Sequence, residues 1–136
     1  MTNTIDTPDI QTTLCGFREM CGYERINNEL HLTVEEKHLN AGRIMHGGMI
    51  ASLLDHVSSH PIILRQGQVM ATVGINVQYL APARKGHKLV ASAILKKQGR
   101  DIAFIDAKIT NQKGEIIATS DAIYKLITMP KSQNNM

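Results

Sequence analysis

Aromatic residues are scarce in this chain, with three Tyr, two Phe and no Trp among 136 residues. A surface that stacks nucleobases on interleaved aromatic and basic side chains is therefore excluded, and single-strand nucleic-acid binding with it. No apolar run approaches the roughly 18 residues that a membrane span requires, and positions 1–9 lack a charged-then-apolar leader pattern. A soluble, cytoplasmic protein is expected. Only two cysteines occur, Cys15 and Cys21, six positions apart on one expected helix. That spacing fits neither a redox pair nor a four-ligand zinc site, so both read as buried thiols. Charge is nearly balanced, 15 basic against 12 acidic residues, but it is unevenly spread. Positions 1–36 hold 7 acids and 2 bases, whereas 84–113 hold 8 bases and 2 acids. The second segment could serve as a solvated strand face or as a phosphate-binding rim.

What remains is ordinary for a single packed domain: 43% hydrophobic and 20% charged residues. Thr7-Pro8-Asp9 has the chemistry of a helix start, and Ile10, Leu14, Phe17 and Cys21 follow at helical spacing to Gly22. From Ile26, Leu30, Leu32 and Val34 alternate with polar residues as a half-buried strand. A polar loop over 36–45 leads to His46-Gly47-Gly48. Beyond it Met49, Ile50, Leu53, Leu54, Val57 and Leu64 are spaced as one face of a long helix, kinked or ended by Pro61. The rest reads as β: alternation over 69–82, 89–98, 102–109 and 116–127, which predicts a meander of four consecutive strands. Strand and helix do not alternate, so doubly wound folds are excluded. The expected class is α+β, an antiparallel sheet curled around a long central helix. One domain over 1–128, with an N-terminal helical extension over 1–22, is followed by a polar tail over 129–136 without period or expected structure.

Two features could carry chemistry. Glycines at a loop-to-helix junction leave backbone N–H groups open to a partly negative oxygen, and the helix dipole concentrates their effect. Gly47 and Gly48 stand at such a junction. Asp55 then falls in mid-helix with Ala51, Ser52, Ser58 and Ser59 as its neighbours and no basic partner. With Ser52, His56 and Ser59 it forms a polar stripe, which on a helix wrapped by a sheet must face a cleft or a subunit contact. Eight positions at 1.5 Å each put Gly47 about 12 Å from Asp55, too far for one substrate carbonyl to meet both. A dimer with antiparallel helices, pairing Gly47 of one subunit with Asp55 of the other, resolves this.

The order Asn40-x-Gly42-x-x-x-His46-Gly47-Gly48, then Asp55, then Thr72 on a strand ending Tyr79-Leu80-Ala81-Pro82, then Gly99-Arg100, resembles the hotdog-fold acyl-CoA thioesterases of the PaaI-like branch. The resemblance covers about 36–126. It implies a hotdog fold and hydrolysis of acyl-CoA to free acid and coenzyme A. By position it assigns the Gly47 N–H and Asn40 to the thioester oxygen, and Asp55 of the partner subunit to the role of general base or nucleophile. It assigns Thr72, where relatives carry serine, to orienting water, and His46 to support of the Asn40 loop. Gly48 and the basic Arg84, Lys85, Lys97 and Arg100 become candidates for binding the substrate and its phosphates. The implied assembly is a homodimer with shared sites, extended to a homotetramer, with acyl-CoA as substrate and no cofactor. Same-fold alternatives are a hydratase or dehydratase, and a non-catalytic binder of acyl-CoA or acyl carriers. His56-x-x-x-His60 has metal-pair spacing, but no third ligand is in pattern, and no metal is expected.

Overall fold

The computed structural model describes residues 16–130. The predicted helix start at Thr7 and the residue Cys15 lie outside them, as does most of the predicted tail. Of the N-terminal helix, α1 (Gly16–Cys21) is described, and it buries Cys21. Two short strands, β1 (Glu24–Ile26) and β2 (Glu29–Thr33), form a hairpin. Asn27 turns it at φ 59°, a left-handed conformation that Asn tolerates through its short polar side chain. The sequence reading, which takes one strand from Ile26, missed β1. Its three residues include one apolar side chain, and that side chain is exposed, so no alternation marks it.

The long helix α2 (Gly47–Ser59) follows a one-turn 3-10 segment at Glu36–His38 and a loop. It buries Ile50, Leu53, Leu54 and Val57, as its spacing predicts. It ends before Pro61, which has no N–H to continue the ladder. Leu64 therefore belongs to the following segment and packs into a second cluster with Ile62, Ile105 and Leu126.

Strands β3 (Gln68–Tyr79), β4 (Lys88–Gln98), β5 (Ile102–Thr110) and β6 (Ile116–Thr128) complete a six-stranded antiparallel sheet of order β1-β2-β4-β5-β6-β3. The four-strand meander is thus corrected: β4, β5 and β6 run as one, but β3 pairs with β6 at the far edge. Between Tyr79 and Lys88 no tight hairpin turn exists. Instead the chain crosses the end of α2, where Met45 N–H donates to Ala83 O at 2.8 Å and Val34 N–H to His87 O at 2.9 Å. This delivers β4 to the side of β2.

The sheet curls around α2, which touches β2 through β6. Ala91, Ala107 and Ala118 line the inner face beneath the leucines of the helix, and small residues there let the helix sit close to the strands. Strand β3 leaves one long edge unpaired among the described residues, and Val73, Tyr79 and Leu80 along it are exposed.

Candidate active site

The loop before α2 is organised by Asn40. Its Oδ1 accepts the N–H of Gly42 at 2.9 Å and that of Ile44 at 3.3 Å, while its backbone exchanges bonds with Arg43 and Ile44. Arg43 is held at φ 66° by this turn. Its guanidinium grips Glu36 through both nitrogens, and Lys85 reaches the same carboxylate at 3.3 Å. The hydrogen bond from Arg43 is the main cause holding the Glu36 carboxyl down at about 2. With Oδ1 committed to the loop, the Nδ2 amide of Asn40 is the end that can donate outward.

His46 caps α2. Its Nδ1 accepts the Gly48 N–H at 3.1 Å, and its carbonyl takes those of Met49 and Ile50. Gly48 is thereby consumed, and the Gly47 N–H is the first-turn amide that no group in the described residues engages. Gly47 O accepts the Tyr79 hydroxyl at 2.9 Å. A Cβ built on Gly47 would stand 3.5 Å from the Tyr79 ring, an ordinary contact, so the fold itself does not demand glycine there. Asn40, Gly47, Tyr79, Pro82 and Arg84 line one cleft of about 540 Å³.

Asp55 opens on a different cleft, of about 390 Å³, shared with Ser52, His56, Met70 and Thr72. Its Oδ1 accepts the Thr72 hydroxyl at 2.9 Å and lies 2.5 Å from the donating Tyr124 hydroxyl. Thr72 and Tyr124 are cross-strand partners, and a register shift between Thr72 and Gly74 bends β3 at this point. The Ser52 and Ser59 hydroxyls of the polar stripe donate back to the helix carbonyls of Gly48 and His56. Tyr124 escaped the sequence reading. It occupies an inward position of a β pattern, and its bond to α2 is tertiary, with no local spacing to betray it.

The predicted site residues thus fall into two groups, Asn40, His46, Gly47 and Gly48 at the start of α2, and Asp55 with Thr72 two turns on. Basic residues divide likewise. Arg84 and Lys85 flank the first cleft, whereas Lys97, inside the last residues of the eleven-residue β4, and Arg100, just past it, lie at the opposite end of that strand, roughly 30–35 Å away along it.

His56 hydrogen-bonds the Tyr23 hydroxyl through Nδ1 and meets His60 edge to face, ring centroids 5.3 Å apart. Burial pushes both imidazoles down, His60 from 6.5 to about 4, with Arg25 adding to the effect. Asp55 opposes it at His56. The unfolded chain then binds more protons than the folded one below pH 6.5, so this contribution to stability is complete above 6.5 and is lost as pH falls toward 4. Melting temperature is expected to fall across that window, and His60→Gln to flatten the fall. A wild-type profile level from pH 7 to 4.5 would contradict this.

The chain is 36% identical over 89 residues to human acyl-coenzyme A thioesterase 13, a stretch covering 64% of this chain and 64% of that one. The match therefore spans less than two thirds of the length of that relative. Among solved structures the fold matches the E. coli PaaI protein at TM-score 0.77, with 24% identity over 85% of this chain and 88% of that one. A Bacillus halodurans protein solved with CoA matches at TM-score 0.78, with 21% identity over 91% and 83%. These two likenesses are of fold: a hotdog, as the order of elements and the curled sheet imply. The sequence profile of the thioesterase superfamily matches residues 42–118, more than half of the chain and inclusive of Gly47, Asp55 and Thr72, so the chain belongs to that superfamily.

Proposed function

We propose that the protein hydrolyses acyl-CoA thioesters at composite sites shared by two protomers. The observation that carries this reading is the division of the site between two clefts. An amide donor lies about 3 Å from a developing oxyanion and an attacking atom within about 3.5 Å of the carbonyl carbon, so the two groups stand at most about 8 Å apart. Gly47 and Asp55, about 12 Å apart along one helix, exceed that limit. The unpaired β3 edge supplies the remedy. Pairing with the same edge of a second copy continues the sheet, sets the two α2 helices antiparallel, and brings Gly47 of one protomer opposite Asp55 of the other.

In such a site the free Gly47 N–H and the Asn40 Nδ2 polarise the thioester carbonyl, and the positive end of α2 stabilises the oxyanion that forms. Asp55 either removes a proton from water, whose oxygen attacks the carbon, or attacks the carbon itself to give a mixed anhydride that water then hydrolyses to the free acid and the regenerated carboxylate. Because the Thr72 hydroxyl donates to Asp55, its oxygen is left to accept from the attacking water. Collapse of the tetrahedral intermediate expels the coenzyme A thiolate. Arg84 and Lys85 at the mouth of one cleft, with Lys97 and Arg100 from the other protomer, suit its phosphates. The Bacillus halodurans neighbour, solved with CoA, supports that ligand class. Cytoplasmic location belongs to the same reading. So does pairing of dimers into a homotetramer, for which the outward Ile94, Phe104 and Ile123 offer an apolar face.

The test is thiol release, followed with a thiol reagent, from a panel of short, long and aromatic acyl-CoAs. Saturable release from at least one is expected. Hydration of an enoyl-CoA with the thioester intact, or binding without turnover, would replace this reading by one of the two same-fold alternatives.

A further inference from the structure

We infer that Tyr124 is a positioning residue for the reaction, holding the Asp55 carboxylate so that a single oxygen, Oδ2, faces the cleft. The inference rests on the role proposed above for Asp55. A carboxylate in mid-helix without a basic neighbour has little to restrain its rotamers, and a reacting oxygen displaced by about 1 Å forfeits much of its rate. Here both fixed donors converge on one atom. The Thr72 hydroxyl lies 2.9 Å from Oδ1 and the Tyr124 hydroxyl 2.5 Å from it, while Oδ2 has neither.

The same tyrosine hydroxyl lies 2.5 Å from the backbone carbonyl oxygen of Asp55, so it ties the helix as well as the side chain to β6. Tyr124 is 2% exposed and its ring packs in a cluster with Ile62, Ala103, Ile105, Ala122 and Leu126, which fixes the hydroxyl beside Asp55, whose backbone and side-chain oxygens share its proton. Burial, aided by the Asp55 charge, pushes this phenol above its ordinary range, so it stays protonated and donates at any working pH. Tyr124 thus serves Asp55 as a rigid clamp and need not touch substrate.

Tyr124→Phe deletes one oxygen and keeps the packed ring. Its kcat for acyl-CoA, read by thiol release, is expected to fall about tenfold to a hundredfold with KM unchanged. A crystal structure of the variant is expected to show Asp55 in more than one rotamer. An unchanged kcat overturns the inference, as does a loss carried by KM, which would make Tyr124 a substrate contact. Asp55→Asn, measured alongside, separates the two levels. If it retains wild-type turnover, the role of Asp55 itself fails; if it is inactive while Tyr124→Phe is not, the failure is confined to the clamp.

Discussion

Replacing Asp55 by Asn is expected to lower kcat/KM for acyl-CoA by about 10²–10⁴-fold, the range for losing a positioned acid or base, while leaving the melting temperature at or above that of the wild type. The two halves of this expectation come from the same geometry. Asn is isosteric, and its amide oxygen can still accept from Thr72 and Tyr124, so the side chain keeps its place. What disappears is the negative charge and with it the capacity to take a proton or attack a carbonyl. No basic side chain pairs with that charge among the described residues, and the two hydroxyl donors that hold the carboxylate are kept by the amide oxygen of Asn, so the fold loses little when the charge is removed. Thiol release by the variant at the wild-type rate, with its fold intact, would remove Asp55 from the chemistry.

The route from sequence to this site was open at some positions and closed at others, for physical reasons. Helix α2 was legible because Ile50, Leu53, Leu54 and Val57 repeat at the period of the helix they form and all bury. Strand β5 was legible because Ala103, Ile105, Ala107 and Ile109 alternate without interruption. Strand β3 was legible as a strand but not in its pairing. Its alternation passes through Val73, yet the register shifts there, and that residue is left exposed at the bulge. Pattern reports the period of a strand and says nothing of its neighbour, so the move of β3 to the far edge beside β6 stayed hidden. Gly47 and Asn40 were legible through the resemblance to the hotdog thioesterases, and Asp55 as a helix carboxylate without a partner. Tyr124 was invisible, since its bond to Asp55 joins positions 69 residues apart. The long polar loop hid its own logic too: the bonds at Asn40 and the cap at His46 explain why the Gly47 amide alone is free, and neither bond follows from spacing.

Mixing two inactive variants should restore activity. Gly47→Val places a branched side chain beside the amide proposed to meet the thioester oxygen, and Asp55→Asn removes the group proposed to act on the carbon. Each homodimer then carries two defective sites. In a heterodimer of the two, sites built across the interface sort differently: one unites both defects, and the other unites an intact Gly47 with an intact Asp55. Random reassortment of equal amounts makes half of the dimers mixed, each with one working site of two, so about a quarter of wild-type activity is expected. Sites contained within one protomer predict none, since every chain in the mixture carries a defect. Subunit exchange is followed by native mass spectrometry, and activity is expected to rise with the heterodimer fraction. Verified heterodimers without activity would mean that the two clefts of one protomer cooperate after all, against the roughly 12 Å that α2 puts between Gly47 and Asp55.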